Sequence, residues 1–163
     1  MDCNLISTLN TSDYISVVGI IVNSLLAIWI VRTLQSNLAN KRYLKDHLIQ
    51  EIKNLRNEYS KFLNELNSGN MKPQKVAPWF KLMNIKVHDT MELVNEKYKV
   101  DKDLLKNYQV ELRDLVTEFE EFNTNYRKNC NIQLGSQSLR HLIQFQQKNQ
   151  SKFNKLIINI NDK

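Results

Sequence analysis

The sequence predicts an all-α protein, with one N-terminal transmembrane helix continuing into a cytoplasmic bundle of about four helices. Three observations predict this. The 163 residues include only three Gly and two Pro, too few turn formers for an all-β fold. Tyr14 to Val31, "YISVVGIIVNSLLAIWIV", is an 18-residue run without a formal charge. From Arg32 onward, apolar residues recur every third or fourth position, the period of a helix with one buried face.

At 1.5 Å per residue the apolar run is about 27 Å long, close to the hydrocarbon thickness of a bilayer. A cleaved signal peptide needs a basic leader and a small-residue cleavage site. Here "MDCNLISTLNTSD" precedes the run and no such site follows "AIWIVR". A core helix of a soluble domain is usually shorter and amphipathic. Tyr14 and Trp29 occupy interfacial aromatic positions, and Arg32 ends the run. Basic residues Arg32, Lys41, Arg42 and Lys45 flank the C-terminal side and none lies on the other. The expected topology is therefore a short extracytoplasmic stretch 1–13, a membrane helix 14–31 and a cytoplasmic part 32–163. Abundant Asn and Lys suit an AT-rich bacterial genome, which makes the inner membrane the expected location. Cys3 and Cys130 lack disulfide-framework or metal-ligand spacing and read as free thiols, which for Cys130 suits a reducing cytoplasm.

The net charge is +6, and setting aside Asp2 and Asp13 leaves +8 on residues 32–163. Such a balance fits a surface beside an anionic leaflet. No Arg-rich or aromatic-interleaved tract marks an RNA partner, so direct RNA binding stays open.

Asn23 is the anomaly of the apolar run, because an unpaired amide in hydrocarbon is costly. Gly19, Asn23 and Ala27 recur every fourth residue with Ser24 alongside, a narrow small-and-polar stripe on one helix face. The bilayer tolerates such an amide, or the stripe serves self-association and lines an axis. A ring of about six or more copies is the arrangement that would make a pathway.

Beyond Arg32 no Gly or Pro interrupts the chain to Asn67, and Leu44, Leu48, Ile52, Leu55, Tyr59, Phe62 and Leu66 form a stripe. "NSGNMKPQK" ends this helix. Pro78 suits the first turn of a second helix, whose face is Trp79, Leu82, Met83, Val87, Met91 and Val94. A third, capped near Asp101, carries Leu105, Tyr108, Leu112, Leu115, Phe119, Phe122 and Tyr126. After "NCNIQLGSQ" a final helix from about Ser136 presents Leu139, Leu142, Ile143, Phe153, Leu156, Ile157 and Ile160. These stripes read as core. No Gly-rich phosphate loop, H-E-x-x-H or Ser-His-Asp order is present, and no cofactor or metal is expected.

One constellation has catalytic potential. Arg42 and His47 in "RYLKDH" have four residues between them, and such a pair can serve metal-free RNA cleavage, with imidazole as acid or base and guanidinium on the phosphate. In a straight helix the two point about 140° apart, so a second subunit or a helix break is needed to bring them together. The competing reading is a juxtamembrane Arg and a helix-surface His. His88 and His141 have no acidic or cysteine partner close in sequence and read as surface or partly buried residues.

One membrane helix, an all-α cytoplasmic part and R-x4-H as "RYLKDH" together resemble the small membrane accessory proteins of type VI-B CRISPR systems, which carry a divergent HEPN domain. The resemblance covers the whole chain in architecture and rests on Arg42 and His47 for its motif. It implies a HEPN-like bundle and a membrane effector that assembles into a ring-like pore and enhances RNA-guided antiviral defence. The partners implied are further copies of itself, membrane lipid and an RNA-guided RNA nuclease. In catalytic HEPN relatives the motif lies late in the domain and faces a partner's copy, whereas here it lies early. A membrane-tethered ribonuclease and a membrane-anchored scaffold are the alternatives.

Overall fold

A computed structural model describes residues 11–162, with side chains from Tyr14 to Asp162. Cys3 and residues 1–10 of the expected extracytoplasmic stretch lie outside the described residues. Every described element is a helix: α1 (Thr11–Asn67), α2 (Pro73–Tyr98), α3 (Leu104–Glu118), α4 (Glu120–Lys128), α5 (Ser136–Asn149) and α6 (Ser151–Asn161). The chain divides into two units, residues 1–44 and residues 45–163, and α1 contributes to both.

The described part of the first unit, residues 11–44, is helix alone. Its 18-residue apolar window has a mean hydropathy of 2.3 and no side chain covered by the rest of the protein. Among the described residues one helix, near the N-terminus, is thus long and apolar enough to cross a membrane.

The second unit is built on the 3.6-residue period. Leu48, Ile52, Leu55, Tyr59, Phe62 and Leu66 of α1 are all buried, as the spacing predicts. They meet Phe80, Met83, Val87, Met91 and Val94 of α2, Leu105, Tyr108 and Leu112 of α3, and Phe153, Leu156 and Ile160 of α6 in one buried core. Aromatic rings fill its centre: Tyr59 stands edge-on to Tyr108 at 4.9 Å, and Phe62 stacks on Trp79 at 4.1 Å. One polar chain threads this core. The Tyr59 hydroxyl donates to Gln109 Oε1 at 3.1 Å, and Gln109 Nε2 donates to the Phe80 carbonyl at 2.8 Å. Both buried groups of Gln109 are thereby satisfied.

Four sequence expectations need correction. Pro73, not Pro78, occupies the start of α2, and Pro78 lies inside it. Pro73 and Val76 are buried, so the residues before Pro78 gain packing by joining the helix, at the cost of one backbone bond at Pro78. Leu82 of the expected α2 face is exposed instead, and Thr90 takes a buried place among the apolar positions. The expected third helix breaks at Phe119, whose ψ of 133° is extended, and Tyr126 beyond it is exposed. The expected last helix ends at Asn149 and restarts at Ser151, leaving Ile143 exposed.

The turn after α1 was legible. Asn70 N donates to Glu65 O at 2.9 Å and Gly69 N to Leu66 O at 3.3 Å, a Schellman pair with Gly69 at φ +70°. A Cβ on Gly69 would stand 2.5 Å from Gln133 Nε2. Gly69→Ala is expected to lower the stability of this unit by about 1–2 kcal/mol. Urea unfolding of the two proteins checks this, and equal midpoints would contradict it.

Glu121 does what no local pattern announces. Its carboxylate accepts from the Gly135 N–H at 2.7 Å and the Ser138 hydroxyl at 2.9 Å, so a residue of α4 caps the N-terminus of α5. Partial burial alone would raise this carboxyl. The hydrogen bonds from its own N–H, Gly135 and Ser138 outweigh that and hold it below the ordinary glutamate value. A lowered folded-state value means that the stabilisation is complete above the unfolded value and is lost as pH falls through the folded one. Glu121→Ala is expected to cost about 1–2 kcal/mol at neutral pH. The gap between variant and parent should narrow as pH drops below 4.5. Thermal melts across that range decide it, and a gap that holds constant with pH would refute the cap.

Candidate functional site

From Tyr14 to Tyr43 every side chain of α1 is exposed. In water such a helix is untenable, since its apolar residues gain nothing by folding. In a bilayer every backbone polar group inside the helix is already paired and lipid covers the side chains. The residues singled out from the sequence all lie on this surface: Gly19, Asn23, Ser24 and Ala27 within the run, Tyr14 and Trp29 toward its ends, and Arg32 just beyond.

The polar positions are not equivalent. The Ser24 hydroxyl donates to the Ile20 carbonyl one turn back at 2.7 Å, and the Thr33 hydroxyl likewise to Trp29 at 2.8 Å. Such back-bonded hydroxyls are satisfied within the helix. The Asn23 amide has two donors and an acceptor, and no described residue pairs with them. A Cβ placed on Gly19 meets nothing within 4 Å, so the space beside it is open for another surface. The stripe therefore reduces to one unsatisfied amide flanked by small residues.

Arg42 belongs to the first unit and His47 to the second, and both are exposed. His88 faces Glu92 at 3.8 Å on the surface of α2, and His141 is exposed on α5. Among the described residues no group of three His, Cys, Asp or Glu is placed to hold a metal. The strongly shifted phenols are core groups. Burial drives Tyr59 far above the usual range and pushes Tyr108 up to about 12, so both stay neutral at physiological pH. A cavity of about 520 Å³ lies between α1 and α2. The Lys86–Glu58 ion pair at 2.6 Å lies on its wall, and no histidine or cysteine lines it. Cys130 is exposed, and its thiol lies 3.4 Å from the Lys128 carbonyl.

Sequence reasoning missed the polar pair Tyr59–Gln109 and the buried Asn149, whose Nδ2 donates to the Phe145 carbonyl at 3.0 Å where α5 ends. Gln109 was discoverable, because it sits four residues from Leu105 on the apolar stripe of α3. No protein-family model, curated protein or solved structure matches the chain.

Proposed function

We propose that this protein is a single-pass membrane effector whose helices assemble through the Gly19–Asn23–Ala27 face into a ring that perturbs the membrane. The observation that carries the reading is the Asn23 amide, centred in an uncovered apolar helix and paired with no described residue. Burying its donors and acceptor in hydrocarbon costs several kcal/mol, on the order of an unmade hydrogen bond in an apolar medium. Copies arranged about an axis remove that cost, because each amide meets a neighbour's or faces enclosed water.

In this reading the N-terminus is outside and residues 32–163 lie on the cytoplasmic side, since the basic residues gather on the C-terminal flank. The bundle in this reading is a divergent HEPN domain, its R-x4-H placed earlier than in catalytic relatives, and Arg42 and His47 are surface residues without a cleavage role. The biological setting that fits is RNA-guided antiviral defence in a bacterial inner membrane, with an RNA-guided nuclease as functional partner. Support for that setting is the resemblance in architecture and motif.

The deciding experiment is the mass of the detergent-solubilised protein by light scattering with the micelle subtracted. The expected result is a discrete assembly of about six or more copies, enough for a central axis. A monomer or dimer would overturn the ring.

A further inference from the structure

Between Tyr14 and Lys45 the chain contains no acidic residue, and the first carboxylate after Asp13 is Asp46. Arg32, Lys41 and Arg42 are exposed in that interval, and none forms an ion pair with a described residue. The helix does not turn polar at Arg32 either. Leu34 and Leu38, one turn apart, remain 57% and 54% exposed and continue the apolar surface past the first basic residue. Residues 32–42 thus form a helical stretch with two leucines one turn apart and three cations, all of them exposed.

We infer that this stretch is a docking surface for the anionic headgroups of the leaflet into which it emerges. The inference rests on the membrane reading above and adds to it a lipid class and the residues that select it. Charge and length both favour lipid over a second copy. Parallel copies would bring Arg32, Lys41 and Arg42 against their own equivalents with no carboxylate to intervene, which opposes close pairing along this stretch. Length agrees. Lys41 and Arg42 lie about 14–15 Å along the helix from Arg32. The headgroup layer extends about 6 Å beyond the hydrocarbon, and the surface potential decays over about a further 8 Å at physiological salt. All three cations therefore stand within the field of an anionic surface. Leu34 lies about 3 Å beyond Arg32, at headgroup depth, and Leu38 lies about 9 Å beyond it, within a few ångströms of the outer edge of the headgroup layer.

The test uses the full chain with Cys3→Ser and Cys130→Ser, carrying a fluorophore on Leu38→Cys, in vesicles doped with headgroup-nitroxide lipid. Vesicles are phosphatidylcholine alone or a mixture with phosphatidylglycerol. The expected result is several-fold stronger quenching with phosphatidylglycerol, abolished by high salt and by Lys41→Gln combined with Arg42→Gln. Quenching independent of phosphatidylglycerol, salt and the double variant would overturn the inference. So would shielding of the label by added single-stranded RNA with no response to phosphatidylglycerol, which would assign the cations to nucleic acid. A companion label on Ile21→Cys, read with acyl-chain nitroxide lipid, separates the two levels. If Ile21 is quenched and Leu38 shows no lipid dependence, the headgroup inference fails alone; if Ile21 is not quenched, the membrane reading itself fails.

Discussion

Asn23→Leu is expected to convert the assembled protein to monomer or dimer and to abolish its conductance in liposomes, while membrane insertion is retained or improved. The two halves have different physical causes. Insertion follows hydropathy, and leucine partitions better than an amide at the centre of a bilayer. Assembly follows the interhelical hydrogen bonds, each worth about 1–2 kcal/mol in membranes, or roughly 5–30-fold in each pairwise association constant. In a closed ring every subunit loses such a bond on both sides, so the loss compounds around the circle. Gly19→Leu supplies an independent check. Beyond its own helical turn, no described residue lies within 4 Å of a Cβ there, so the larger side chain has no described tertiary contact to disturb. Any fall in mass for that variant must come from a neighbouring copy. Wild-type mass and conductance in both variants would remove the stripe from the mechanism.

Phe62→Ala carries the largest expected effect on stability. The ring is 1% exposed, stacked on Trp79 at 4.1 Å and edge-on to Phe80 at 5.2 Å. Removing it deletes the centre of the aromatic cluster and leaves a cavity that the surrounding rings cannot close, for a cost of about 3–5 kcal/mol. Domains of this size are stable by about 5–15 kcal/mol, so the variant sits near the margin. Urea unfolding followed by tryptophan fluorescence should show a much lower midpoint, with Trp79 reporting the loss of packing. Insertion should not change, because the apolar window makes no buried contact with the rest of the protein. The light-scattering mass in mild detergent should also persist if the membrane helix alone holds the copies together. A Phe62→Ala protein that loses both bundle and assembly would move the interface to residues 45–163.

Much of this protein was legible because its information is local. A charge-free run of membrane length is read by counting. The stripe from Leu48 to Leu66 follows one period, and its residues are buried as that period requires. Gly69 announced the end of α1, because glycine adopts its positive φ without the Cβ penalty of other residues. Periodicity could not locate the breaks at Phe119 and Gln150, since the apolar spacing continues in phase across both. Nor could it show which of two neighbouring apolar positions is covered, as at Leu82 and Met83, because that depends on where the adjoining helices lie.

The candidate site divides the same way. Asn23 stands out in sequence because a single amide among aliphatic residues violates the composition of its surroundings. That Ser24 is satisfied by the Ile20 carbonyl and Asn23 by no described residue required coordinates. The sequence by itself determined the helical class, the apolar helix, the turn at Gly69 and the excess of cations beyond residue 31, all set by near neighbours along one chain. Tertiary structure alone decided that Glu121 caps α5 across 14 residues and that Tyr59 and Gln109 close a hydrogen bond across 50. Those pairings join residues brought together only when the helices pack, and a one-dimensional pattern carries no record of distances across the core.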